Sequence, residues 1–199
     1  MKIIIVGGTG TIGTAIAKEL APRHTMVSVG RTRGDFQVDI CDTNSVERLY
    51  QAIGPFDALI AATGDVHFAA LTEFTAEQYR IGLNSKLMGQ VNLVLLGLKY
   101  INSGGSFTLT SGVLSRDPIR LGSSASMVNG ALDSFVKSAA IELPNSLRIN
   151  AVSPTVLSES LENYGPFFRG FEAVPVSRVA LAYSKSVEGA QTGIIYRVE

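Results

Sequence analysis

Cysteine is almost missing from this chain. Cys41 stands alone, so neither an intramolecular disulfide nor a cysteine-based zinc site can form. There is also no surplus of one charge. Lys plus Arg and Asp plus Glu each number 17, which leaves a formal net charge of zero. A nucleic-acid-binding chain carries a basic excess, so no nucleic-acid partner is expected. Long apolar runs are lacking as well. The first, Ile3 to Val6, passes directly into a glycine-rich turn and reads as a buried strand, not as a leader. No run approaches the roughly 18 apolar residues of a membrane span. The expectations are therefore no membrane association and a cytoplasmic location. A hydrophobic fraction of 46% against 17% charged residues excludes a disordered chain, and 199 residues suit one domain. Glycine is abundant, at 20 residues, which points to tight turns and close backbone approaches.

Strand and helix patterns alternate along the chain. Lys2–Val6 is a short β-branched run suited to a strand buried on both faces. A helical pattern follows and stops at Pro22. Met26–Gly30 and Phe36–Ile40 read as the second and third strands. Thr43 or Asn44 can cap a helix that Gly54-Pro55 ends. Asp57–Gly64 is a fourth strand, Thr75 to Tyr100 one long helical pattern, and Ser106–Gly112 a fifth strand. A helix over Ser123–Leu143, a strand over Leu147–Pro154, a helix over Val176–Val187 and a strand over Gly193–Val198 complete the chain. This alternation predicts an α/β fold, a doubly wound parallel sheet of about seven strands with helices on both faces. Residues 155–174 form the one long irregular stretch and read as a substrate or lid loop.

Gly7, Gly10 and Gly13 lie between the first strand and its helix. Gly7 permits the tight turn, Gly10 lets the backbone approach a pyrophosphate, and Gly13 lets helix and sheet pack closely. The helix N-terminus then presents unpaired N–H groups and a favourable dipole to phosphate. An acid at the end of the second strand would bind the adenosine ribose and repel a 2′-phosphate. Here Gly30 holds that place, and Arg31 and Arg33 follow. A guanidinium fork matches phosphate in shape and charge, so these residues favour NADP(H) over NAD(H).

With these motifs in place, the chain resembles the short-chain dehydrogenase/reductase family along almost its whole length. Val6–Gly13 is similar to the family's cofactor loop, which implies contacts from Thr9, Thr11 and Ile12 beside the three glycines. Val38–Asp42 resembles the adenine-contact segment, with Asp39 and Ile40 flanking the ring. Ala61–Gly64 resembles the stretch after the fourth strand, implying cofactor contacts from Ala62, Thr63 and Gly64, although the family's Asn pair is replaced. Leu147–Thr155 resembles the nicotinamide-contact segment, with Pro154 and Thr155 at the cofactor and Thr155 where Gly is usual. The resemblance implies a single NADP(H)-binding Rossmann domain over 1–199. It also implies an oxidoreductase acting on a small carbonyl or alcohol, and a homodimer or homotetramer paired through the helices of 75–100 and 123–143.

The family's active site is Asn, Ser and a Tyr-x-x-x-Lys pair, and it carries over only in part. Ser111 occupies the Ser slot. The Tyr slot holds Ala125 and the Lys slot Asn129. In the long helix, Tyr79, Lys86 and Gly89 match the family spacing of aromatic, Asn and Gly, which puts Lys86 in the Asn slot. Asn84 is the alternative, but residues two apart on a helix differ by about 200°, so only one of them can face the site. Lysine and asparagine would then have exchanged places, with Ser111, Lys86 and Asn129 as the catalytic set. A desolvated Lys86 can donate a proton near neutral pH. Ser123, Ser124, Ser126, an ordered water and Tyr164 are other candidate donors. His67 falls where family members line the substrate pocket, and His24 reads as surface. Phe167, Phe168 and Phe171 form either an apolar lid or an anchor for the loop. An altered reductase, a non-catalytic NADP(H)-binding regulator, and an isomerase or lyase on the same scaffold all remain open, since fold does not fix function.

Overall fold

A computed structural model describes all of residues 1–199. Seven strands, all parallel, form one sheet. In chain order they are β1 (Lys2–Val6), β2 (Thr25–Gly30), β3 (Phe36–Gln37), β4 (Phe56–Ala61), β5 (Ile101–Thr110), β6 (Arg148–Pro154) and β7 (Ile195–Val198). Their spatial order is β3-β2-β1-β4-β5-β6-β7, so the chain reverses direction across the sheet between β1 and β4. Ligands of such sheets bind outside the carboxyl ends of the strands at that reversal.

The helices are α1 (Thr11–Leu20), α2 (Thr43–Ile53), α3 (Ala76–Gly82), α4 (Gln90–Gly97), α5 (Ser123–Glu142), α6 (Leu161–Tyr164) and α7 (Val176–Glu188). Both sheet faces are covered, as the β-branched strands require. One apolar cluster joins Ile4, Leu59 and Phe107 to Leu49 and Tyr50 of α2, Leu93 of α4 and Leu132 of α5. The other joins Ile3, Ile5 and Ile60 to Ile16 and Leu20 of α1 and to Val179 and Tyr183 of α7. Burying one such side chain is worth about 1.5–3 kcal/mol, so this alternation along β1 and β4 holds the two layers on the sheet.

Several sequence expectations change in detail. The cap of α2 is Asp42, whose Oδ1 accepts from Asn44 N–H at 2.9 Å, in place of Thr43 or Asn44. The third strand pairs over only two residues, because Asp39 turns the chain by accepting from Cys41 N–H at 3.0 Å. The long helical pattern after Thr75 is interrupted by a π-helical turn over Leu83–Gly89. Residues 155–174 are not wholly irregular: they hold a 3₁₀ turn at Ser158–Ser160, α6, and a bridge between Leu157 and Val174. His24 is half-buried, with Nε2 2.9 Å from Glu188 Oε1, where α1 meets α7.

Candidate active site

The β1–α1 turn builds the floor of a first cleft. Gly7 sits at φ +87°, and a side chain on it would run into the Ala62 carbonyl; one on Gly13 would run into the Gly7 carbonyl. The two backbones therefore meet only because both positions lack a Cβ. The N-terminus of α1 has no side-chain cap and no acidic residue in its first turn, which leaves its N–H groups free for an anion. The cleft above it holds about 340 Å³ and is lined by Gly7, Thr9 and Gly10, by Gly30 and Arg31, by Asp39 and Ile40, and by Ala62, Thr63 and Gly64. Thr11 and Gly13 do not line it: Thr11 is exposed at the start of α1, and Gly13 packs against the Gly7 and Gly8 backbone. Arg33 does not line it: its carbonyl packs where a side chain on position 30 would go, so no acid fits there, and its guanidinium lies in solvent. Arg31 reaches over the mouth, with Nη1 3.7 Å from Asp65 Oδ2 and both side chains 70% exposed.

A second cleft of about 260 Å³ opens between β5, β6, α5 and the 155–174 loop. Lys86, Ser111 and Asn129 all line it, with Ile12, Pro154 and Thr155. Ser111 stands one residue past β5, its N–H held by the Val152 carbonyl at 3.0 Å. Its Oγ and the Oδ1 of Asn129 are buried without any hydrogen-bond partner. Asn129 packs against Gly112, where an added Cβ would come within 2.9 Å of Nδ2. Buried polar atoms are normally paired, so two orphans on residues that line one cleft single that cleft out as a candidate site.

The π-helical turn aims Lys86. One extra residue in the turn changes the direction of every side chain after it, and such turns cluster at functional sites. Gln90, fully buried, accepts from Thr110 N–H at 2.9 Å and donates to the Thr110 and Lys86 carbonyls, tying the turn to the end of β5. Gly64, at φ +122°, approaches so closely that a Cβ would stand 2.6 Å from Lys86 Cα. Tyr79 O–H, 2.9 Å from Ser123 Oγ, fastens α3 to α5. The ammonium has no carboxylate beside it, and burial alone brings its pKa down to about 8. Asn84 is exposed and lines neither cleft.

Ala125 lies in the wall of the second cleft, buried, and Tyr164 reaches the same cleft from α6, where its ring packs beside Phe68. Phe168 lines the cleft, while Phe167 and Phe171 lie farther out along the loop. His67 does not line either cleft; it packs edge-on against Phe74, with centroids 5.7 Å apart. Cys41, Asp65 and Ser85 also border the first cleft, where the family motifs point to none of them. Nothing local marks Asp65 or Ser85. Their link, Asp65 N–H to Ser85 Oγ at 2.9 Å, spans 20 residues and exists only in the fold.

A parallel sheet with a glycine-lined anion cradle at its reversal point, and beside it a largely apolar cleft that carries Lys86, Ser111 and Asn129, defines a dinucleotide-binding α/β protein. The sequence matches the family described as enoyl-(acyl carrier protein) reductase over residues 8–188. The L-xylulose reductase of Mesocricetus auratus is 25% identical over 214 residues, covering 98% of this chain and 87% of its own. The crystal structure of the protein lin1944 from Listeria innocua superposes with a TM-score of 0.99 at 49% identity, over 100% of both chains. A small-chain dehydrogenase in complex with NADPH superposes with a TM-score of 0.89 at 27% identity, over 100% of this chain and 96% of its own. The chain belongs to the short-chain dehydrogenase/reductase family and is an oxidoreductase of that type, with a site for a nicotinamide cofactor.

Proposed function

We propose that the protein is an NADP(H)-dependent reductase of carbonyl compounds that works through an altered active site. The observation that carries this is the convergence of Lys86, Ser111 and Asn129 on one cleft, two of the three carrying a buried, unpartnered oxygen atom. The residues of the first cleft fit the cofactor: an uncapped helix N-terminus for the pyrophosphate, the Asp39–Ile40 wall for adenine, and Arg31 without a competing acid at position 30 for the 2′-phosphate. When bound, NADPH supplies the hydride. Ser111 Oγ–H donates to the carbonyl oxygen and holds it. The Lys86 ammonium places positive charge beside that oxygen as it becomes an alkoxide, and gives it a proton, leaving a neutral amine. In a desolvated cleft that charge is far more effective than it would be in water. The Asn129 amide orients the group that bonds to its Oδ1.

The non-catalytic reading draws on Ala125, which leaves the cleft wall without a phenol at that position. A panel of aliphatic and aromatic aldehydes with NADPH, followed by loss of the reduced-cofactor absorbance, separates the two readings. Turnover that Ser111→Ala abolishes supports the reductase. Tight NADPH binding without turnover on any member of the panel supports the binding protein.

Self-association belongs to the same reading. Leu95 of α4, Leu98 just past its end and Ile141 of α5 are exposed, Ile141 at 87%, beside an apolar groove between the two helices. Sedimentation at micromolar concentration should give a dimer or tetramer, and Leu95→Glu should shift it toward monomer. A wild-type monomer rejects the pairing.

No helix is long and apolar enough to cross a membrane.

A further inference from the structure

The second cleft does not end at Tyr164. Phe68, Tyr164 and Phe168 also line a small, wholly apolar cavity of about 90 Å³. Ile119 and Phe167 complete that cavity, and both continue into a larger outer one of about 540 Å³. Three cavities thus share walls in series, from the catalytic cleft outward between the 116–122 and 164–171 segments. The middle cavity is apolar throughout. The outer part carries Arg120 and Arg169, one from each segment.

These two arginines differ from most others in the chain. Arg23, Arg31, Arg48, Arg80 and Arg116 pair with carboxylates, and Arg148 donates to backbone carbonyls. Arg120 and Arg169 make no ion pair and no side-chain hydrogen bond, and the neighbouring acids Asp117 and Glu172 do not line the cavity. The wall between them is also specifically built. Leu121 holds φ +67°, a left-handed conformation rare for leucine, while its carbonyl accepts from Ala69 N–H at 3.2 Å. Phe167 stays 48% exposed at the same mouth.

We propose that the substrate is an amphipathic carbonyl compound with an anionic end: its carbonyl lies at Ser111 and Lys86, its apolar body runs past Phe68 and Phe168, and its anionic group is held by Arg120 and Arg169. The proposal rests on the reductase reading and names its substrate class. Apolar walls offer nothing to a polyol, and two unpaired guanidinium groups at the far end of an apolar path complement a carboxylate or a phosphate.

The test uses ω-oxocarboxylates of increasing length, from succinic semialdehyde to a ten-carbon chain, each beside its methyl ester. L-xylulose serves as the polyol control. Binding is measured by calorimetry with NADP⁺ saturating, and turnover with NADPH. Longer carboxylates should bind about tenfold or more tightly than their esters, the scale of a charge-assisted contact. Arg120→Gln/Arg169→Gln should erase that preference while ester binding is kept. Added salt should weaken the acid and spare the ester. Equal binding of acid and ester, a preference unchanged in the double variant, or L-xylulose as the better ligand overturns the proposal. Calorimetry reads the anchor without turnover, so acids that bind as expected but are not reduced refute the reductase and keep the anchored ligand. Aldehydes that are reduced with no acid preference refute the anchor alone.

Discussion

Lys86→Met should lower carbonyl reduction by about 10²–10⁴-fold, the range of a positioned proton donor, while the protein folds normally. Burial with no carboxylate beside it holds this ammonium near a pKa of about 8, below its ordinary value. The proposed mechanism makes the protonated form the donor, so the reductive rate should be level below pH 8 and fall as pH rises through it. Lys86→Arg keeps the charge but cannot release a proton at any working pH. It should lose most of the rate and also the alkaline limb near pH 8. Tyr164→Phe should keep that limb, because the proposed mechanism takes no proton from the phenol that shares the cleft. Stability runs the opposite way. A lysine whose folded pKa is depressed destabilises the fold while charged, and that penalty fades as pH rises from about 8 toward the unfolded value. Lys86→Met should therefore melt at or above the wild-type temperature at neutral pH, the usual trade of stability for function. An unchanged rate in Lys86→Met, or a pH profile that the substitution leaves in place, would remove Lys86 from the chemistry. Asn84 is exposed outside both clefts and offers no substitute.

Arg31→Ala should weaken NADPH binding by about tenfold and leave NADH binding nearly unchanged, as read by calorimetry. Arg31 is the basic side chain on the wall of the first cleft, and Gly30 cannot be replaced by a ribose-binding acid without displacing the Arg33 carbonyl. A charge-assisted hydrogen bond contributes about 1.5–3 kcal/mol, and the 70% exposure of Arg31 places the effect at the lower end. Asp65 stands 3.7 Å from Arg31 and would compete with a 2′-phosphate for it. Asp65→Asn should accordingly tighten NADPH more than NADH. Arg33→Ala is the internal control: its side chain does not line the cleft, and its loss should change both affinities by little. Equal affinity for the two cofactors in wild type and Arg31→Ala alike would reject the discrimination.

The glycine turn, the alternating elements and the parallel sheet are legible in the residues because each rests on local chemistry. Gly7 is needed at φ +87° whatever surrounds it, and Ile3, Ile4 and Ile5 suit a strand covered on both faces wherever it sits. Element ends were less legible. Phe36–Ile40 has strand composition throughout, yet Asp39 takes the Cys41 N–H and ends the pairing at Gln37. The helical pattern beyond Thr75 is equally consistent with a plain α-helix. Its π turn is tied down by Gln90, whose partners on β5 lie 20 residues away.

The doubly wound architecture and the place of the glycine turn follow from the residues themselves, since apolar period and glycine spacing are properties of neighbours along the chain, whereas Lys86, Ser111 and Asn129 come to notice only through the family resemblance. Tertiary structure alone decided that those three side chains share a cleft, that Lys86 and not Asn84 faces it, that Arg31 lines the cofactor cleft while Arg33 does not, and that Arg120 and Arg169, from two separate loops, line one outer cavity. Each of these depends on direction and desolvation. A one-residue expansion of a helix turn redirects a side chain, and burial shifts a lysine's proton affinity; both arise only when segments distant in sequence close on one another.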